Sequence, residues 1–479
     1  MKIIRSFFFL LLFAFFLFSV FFFKIAAAGK NLIFSVLENQ PEKFEKNYSL
    51  FKKNIDLFLP DGDIKTLISF LPETLGKSEE KTYYIILQNN RELRPSGGFM
   101  GSFAKLKFIN GGLLNMEIQD IYVPDGQLPG HVQPPWPIQQ AFKQGWWKLR
   151  DANWDPDFPT AAQTIAWFLE KGGEERADGI IAVNLSLFEK ILPLIGPVKL
   201  IDYNQVVNEE NFYQVIQGYS ETNFFPGSTQ KKDILSAFAE VFFEKAKALN
   251  PVEKLRALRI ILKSIERKQT LFYFQNQKLQ QTFHQRAWDG SLTSKWLIKD
   301  GEINDYLYMV ETNLGANKAN CCIDREIVHD VFRTNSGLIE EELKIKFNNK
   351  STVSTPQPPV FWGGNYINFL RVYLPAEAVI KEISAGGEKV APENVFYDYR
   401  EKEKLLGVGF FVTISFSSEK TVQINYFLPA KPANRYNLNL KRQPGIESFK
   451  YQLNIAGENV KSKTIIKTIL SDQDFSIKL

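Results

Sequence analysis

The chain has 479 residues, enough for two or three domains with cores of their own, and its 44% hydrophobic and 23% charged residues fit a globular protein. With 58 Lys and Arg against 53 Asp and Glu the formal charge is +5, which excludes the dense positive field of a nucleic-acid binder. The 3 histidines are scattered and the 2 cysteines, Cys321 and Cys322, are neighbours, so neither a His/Cys zinc module nor a disulfide framework is expected; the pair reads as a small buried couple or a local redox feature.

Lys2 and Arg5 precede an unbroken apolar run, residues 7–23, which Lys24 and the small residues Ala26-Ala27-Ala28 follow. The run exceeds the ~7 to 15 residues of a signal-peptide core and, with its flanks, nearly spans a ~30 Å hydrocarbon layer. Residues 1–30 therefore read as a cytoplasmic tip and a single retained transmembrane helix, with cleavage after Ala28 as the alternative. The leading positive charges put the amino terminus in the cytoplasm and the bulk of the chain outside the cell membrane.

Residues 31–82 carry Phe44, Tyr48, Phe51 and Ile55 three or four apart, the spacing of a short helical stalk. At Tyr83-Tyr84-Ile85-Ile86-Leu87 the pattern changes to a buried strand, and an α/β domain is expected over residues 83–324. Met100, Ser102, Ala104, Leu106 and Phe108 alternate with lysines, Asn110-Gly111-Gly112 supplies a tight turn, and Leu114, Met116 and Ile118 alternate in turn: a hairpin. Helical periodicity follows over 160–171, a strand over 179–183, and a helix through Phe188, Ile191 and Leu192. Asn208 is expected to cap another helix with Glu209 and Glu210 in its first turn; long helices then run over 233–249 and 252–267, broken at Asn250-Pro251. Strands at 271–274 and 306–310 return to the same mixed central sheet, covered by helices. Beyond Arg325 the period falls to two, with runs separated by Gly, Pro and Asn, so residues 325–479 read as an all-β sandwich.

Three segments could carry chemistry. Asn89-Asn90-Arg91-Glu92-Leu93-Arg94-Pro95-Ser96-Gly97-Gly98-Phe99 follows a strand and offers guanidinium forks and backbone N–H groups to a phosphate, though Arg94 paired with a nearby carboxylate and glycines that only shape the turn explain it equally well. Arg150-Asp151-Ala152-Asn153-Trp154-Asp155-Pro156-Asp157 packs hard-oxygen groups before a helix, a pattern for Mg2+ or for orienting a hydroxyl, and also one for helix capping. Lys231 and Lys232 open a helix against its dipole, where a bound anion would relieve them or solvent would serve. Ser-His-Asp and Cys-His catalysis find no support.

The order of these segments, with Asp178-Gly179-Ile180-Ile181-Ala182-Val183, Leu194-Ile195-Gly196-Pro197-Val198 and Asn313-Leu314-Gly315-Ala316-Asn317-Lys318, resembles the bacterial domain-of-unknown-function family 4012. The α/β region also looks more distantly like the LytR-CpsA-Psr family, through the hairpin with its arginines and the stretch Val183 to Phe188 ahead of Gly196-Pro197-Val198. That second resemblance implies a membrane-anchored envelope enzyme moving a glycopolymer from a polyprenyl-pyrophosphate carrier to the cell wall. In that reading Arg91, Arg94, Lys231 and Lys232 bind phosphate, Asp151 and Asp155 hold Mg2+ and act with Arg94 in catalysis, and Asn153 orients. The lysines depart from the arginines of that family, and Lys lacks the bidentate fork. A non-catalytic module for envelope glycans or lipid-linked sugars, and a surface scaffold, are the alternatives.

Overall fold

The computed structural model describes residues 25, 27–36, 38–58, 62–221, 230–293, 298–358, 360–429, 433–458 and 460–479. The apolar run at 7–23 lies outside them; among the described residues no helix is long and apolar enough to cross a membrane.

The first half is built on a five-stranded sheet. Its strands are β1 (Lys81–Asn89), β2 (Phe99–Ile109), β3 (Gly112–Asp120) and β4 (Gly179–Asn184); after a small hairpin of β5 (Val198–Leu200) and β6 (Gln205–Val207) comes β7 (Thr270–Phe274). The order is β3-β2-β1-β4-β7, with β1 and β4 parallel and the remaining pairs antiparallel. The expected hairpin is β2–β3, and its turn residues Asn110 (φ 53°) and Gly111 (φ 79°) are both left-handed, as a two-residue turn between twisted strands requires. Tyr83 to Leu87 reads as a continuous apolar run because the central strand is covered on both faces. Tyr84, Ile86 and Ile180 pack under the helix Phe158–Lys171, while Val183 joins the helices Ser186–Ile195, Phe212–Glu221 and Gln230–Ala248 on the other side.

Two expectations change here. Asn208 accepts from the backbone N–H of Glu210 and of Asn211, so it closes a turn ahead of the helix Phe212–Glu221 and leaves both glutamates outside the helix. The expected stalk, with helices Pro41–Phe58 and Asp63–Thr74, is folded against the domain: Phe44 is fully buried beside Gly111, and the N–H groups of Asn110 and Gly111 donate to the carbonyls of Gly76 and Leu75. The three-and-four spacing correctly indicates helices; Phe44 is spent on the β2–β3 turn, and Phe51 faces Gly29.

The second half is a sandwich. Its strands are β8 (Ile303–Val310), β9 (Ile323–Arg333), β10 (Ile339–Asn349), β11 (Tyr366–Pro375), β12 (Val379–Ala385), β13 (Glu388–Lys389), β14 (Phe396–Arg400) and β15 (Leu405–Ile414), then β16 (Ser418–Leu428), β17 (Arg435–Lys441), β18 (Phe449–Gly457), β19 (Val460–Ile469) and β20 (Gln473–Lys478). They form a seven-stranded sheet, β13-β12-β16-β10-β9-β18-β19, and a six-stranded one, β14-β15-β11-β8-β17-β20. One core joins their inner faces, with Leu343, Ile345 and Phe347 of β10 meeting the layer of Leu370, Val372 and Leu438. The boundary differs from the expected 324/325: β8 pairs antiparallel with β11 and parallel with β17, so Tyr306 to Val310 belongs to the sandwich and not to the first sheet.

Candidate functional site

The segment Asn89 to Phe99 leaves β1 and turns straight back into β2. Gly98 is needed because a Cβ there would press into the backbone of Asn89. The turn points into the seam between the two halves. Arg94 is 2% exposed: Nη1 donates to the carbonyl of Asn313 at 2.6 Å and of Leu93 at 3.2 Å, and Nη2 reaches Glu92 at 3.2 Å and Asp151 at 3.4 Å. Lys318 lies 3.5 Å from the other oxygen of Glu92. The sandwich closes over the turn, since the Gln443 amide donates to the Arg94 carbonyl at 3.1 Å and Asn90 donates to the Gly445 carbonyl at 3.1 Å. The segment Asn313 to Lys318 lies between β8 and β9 in the sandwich and supplies the partners that Arg94 and Glu92 use.

The acidic segment is taken apart by its partners. Asp151, 3% exposed, faces Arg94, and burial pushes its pKa above the ordinary carboxyl value while Arg94 and Arg150 pull it back. Asn153 is fully buried and donates to the Gly98 carbonyl at 2.8 Å, holding the acidic segment to the turn. Asp155 instead accepts a fork from Arg400 of β14, at 3.2 and 3.0 Å, and burial raises its pKa too. Asp157 caps the helix Phe158–Lys171 by accepting from the Thr160 N–H. The structure thus joins Arg94 to Asp151, ties Asn153 to the same turn through Gly98, and directs Asp155 to a different cation. Each carboxylate is neutralised by an arginine, which leaves the pair oriented for holding elements together.

Arg91 is the described arginine of the expected phosphate set that reaches solvent. Its guanidinium lies 4.9 Å from the Tyr213 ring and 5.7 Å from the Trp362 ring, with Glu189 at 3.8 Å. Burial carries the Glu189 carboxyl up to about 7 against the pull of Arg91. Lys231 and Lys232 fall in the helix Gln230–Ala248, but their side chains lie outside the described residues, as do Ser228 and Thr229. Cys321 and Cys322 form a disulfide with each other in the turn Ala319–Cys322; Asn320 beside them accepts from the Leu93 N–H at 2.9 Å.

An open cavity of ≈ 390 Å³ lies elsewhere on the first half, walled by Val132, Trp147, Trp167 and Phe168 and furnished with the polar side chains of Thr160, Gln163 and Thr164. Trp167 is 44% exposed and meets Phe168 edge-on at 5.0 Å; Trp147 meets Phe168 at 5.4 Å and is fixed by donating to the Asp151 carbonyl at 3.1 Å. Next to it His131 packs on Trp146, which is half exposed. Of the two tryptophans that wall the cavity, Trp147 is half-buried and Trp167 exposed, so the opening presents a large apolar ring with one polar N–H to solvent. Sequence reasoning missed this cavity, because Trp147 and Trp167 are twenty residues apart and neither stands in a motif.

Residues 78–219 match the model of a family described as a protein of unknown function, DUF4012. The matched stretch contains Arg91, Arg94, the acidic segment and the tryptophan cavity, and it stops short of Lys231 and of the sandwich. No curated protein matches the chain. Among solved structures, leukotriene A4 hydrolase from Saccharomyces cerevisiae is 8% identical over 33% of this chain and 29% of its own, with a TM-score of 0.22. An M1 zinc metallopeptidase from Deinococcus radiodurans is 9% identical over 31% of this chain and 39% of its own, with a TM-score of 0.18. The chain spans well under half of either.

Proposed function

We propose that the chain is a membrane-anchored, extracytoplasmic envelope protein that binds glycan, lipid-linked or polymeric, in the cavity between Trp147 and Trp167, without transferring it. The cavity carries this reading. Its volume falls at the low end of the ~300–1,000 Å³ usual for small-molecule sites, and flat aromatic walls with hydroxyl and amide groups suit the apolar faces and hydroxyls of a sugar. The anchor is the run at 7–23, and the two resemblances favour the envelope setting. Transfer of a pyrophosphate-linked polymer would need Arg94, Asp151 and Asp155 free to meet phosphate and Mg2+, whereas all three are paired within the fold.

The test is titration of the full-length protein in detergent with soluble N-acetylglucosamine oligomers, followed by tryptophan fluorescence. Wild type is expected to saturate, and Trp167→Ala to bind about tenfold more weakly or worse, a loss of ~1.4 kcal/mol. Equal affinity in Trp167→Ala, or no response of wild type to any of a panel of amino-sugar and neutral oligosaccharides, would remove the reading.

A further inference from the structure

The sandwich encloses three ligand-type side chains that neither the family motifs nor the cavity uses. Asp305 on β8, His329 on β9 and Glu341 on β10 come from both sheets and are 1%, 0% and 3% exposed. One ligand atom from each lies within 4.8 Å of the others. His329 Nε2 is 2.6 Å from Glu341 Oε2, and its Nδ1 is 2.9 Å from the Tyr451 hydroxyl. Tyr426 donates to Glu341 Oε2 at 2.7 Å and Tyr436 to Asp305 Oδ2 at 2.5 Å. Glu341 Oε1, equally buried, has no hydrogen-bond donor.

We propose that Asp305, His329 and Glu341 form the binding site of one divalent transition ion of the Zn2+ class, seated between the two sheets. The Tyr436 hydroxyl reaches Asp305 Oδ2 at 2.5 Å and Glu341 Oε2 at 3.5 Å, which sets the two carboxyl groups side by side, and two such groups enclosed away from water need a proton or a cation between them. Two carboxylates and a neutral imidazole around a doubly charged ion leave no net charge in the core, which removes the chief cost of burying them. Tyr451 holds the Nδ1 side of the imidazole and turns Nε2 toward the carboxylates, while Tyr426 and Tyr436 hold the carboxylates: the outer contacts that orient metal ligands. Glu341 Oε1 is the buried oxygen left for the ion. One nitrogen and two carboxylates suit a zinc-class ion, whereas Ca2+ asks for six to eight oxygens and Mg2+ for octahedral oxygen coordination, which this set does not offer. The ion takes the carboxyl groups ionised and the imidazole neutral, so any proton they carry passes to solvent as it enters.

The experiment is metal analysis of the full-length protein refolded with excess ZnCl2 and desalted, with X-ray absorption at the zinc edge. One ion per chain, with an imidazole nitrogen and carboxylate oxygens at ~2.0–2.1 Å, is expected. His329→Gln and Glu341→Gln should bind at least tenfold more weakly, and His284→Gln should retain the ion. Should the first two variants fail to fold, wild type alone decides: its thermal midpoint should fall in a chelator and return with ZnCl2. A folded wild type that takes up no zinc, whose midpoint ignores chelator and ZnCl2 alike, would overturn the proposal and leave a proton-sharing cluster.

Discussion

Replacing Arg94 with alanine should damage stability and leave glycan binding intact, the reverse of what a phosphate ligand would show. The guanidinium is 2% exposed and answers two carboxylates, Glu92 at 3.2 Å and Asp151 at 3.4 Å, together with the Asn313 carbonyl. Removing it leaves those carboxylates without their nearest cation in a place water does not reach. Breaking a buried pair in this way costs about 3–5 kcal/mol, a large part of the ~5–15 kcal/mol that a domain has. The defect should also depend on pH. Burial already raises the Asp151 pKa and Arg94 is the largest influence opposing it, so in the variant the folded-state pKa rises further. A raised carboxyl pKa means that the folded form binds more protons than the unfolded one across the interval between the two values, so stability falls as pH rises through it. Urea unfolding at pH 5 and pH 7 is therefore expected to show the larger deficit at pH 7, with oligosaccharide affinity unchanged wherever the variant is folded. A variant as stable as wild type but unable to bind a polyprenyl-pyrophosphate analogue would refute the structural role of Arg94 and restore the phosphate reading.

Asp155→Ala, Arg400→Ala and the double variant should show a coupling of about 0.5–3 kcal/mol in unfolding, because the fork between them joins the segment before the helix Phe158–Lys171 to β14; additive single effects would contradict it. Asp472 is held well below the ordinary carboxyl value by Lys268 at 2.7 Å and Lys441 at 3.4 Å, against the opposing effect of its burial. The unfolded state then binds more protons below about pH 4, so this contribution is present at neutral pH and lost on acidification. Asp472→Asn should accordingly be less stable than wild type at pH 7, with the gap closing toward pH 3 in urea melts.

Local pattern carried much of the first half. The alternation in β2 and β3 and the Asn110-Gly111 turn fix that hairpin within a few residues, and the Asn250 capping box marks the break between two long helices because its donors and acceptors are neighbours in sequence. Membership of a sheet is another matter. Tyr306 to Val310 is an apolar run that would fit either sheet, and its place is decided by pairing with β11 and β17, strands far downstream whose register no local window contains. The candidate site divides in the same way. That Arg94 and Asp151 meet was readable from their placement at a strand end and a helix start; that Gln443 and Gly445 seal them from solvent was not. Asp305, His329 and Glu341 share no motif spacing at all.

The position of Gly445 has a consequence for the order of folding. Its backbone, at φ 86°, lies so close to Gly97 that a side chain there would collide with the Gly97 carbonyl oxygen. The Arg94 turn is therefore covered by a stretch synthesised long after it. β8 and β9, the earliest strands of the sandwich, likewise wait for β17 and β18 to fill their parallel edges. A chain folding in the order of its synthesis would expose a charged turn and two open strand edges until its last strands arrived. Contacts of such separation close slowly. Open edges held for that time invite pairing with other chains, so this protein should fold most efficiently where something else occupies β8 and β9 in the interim.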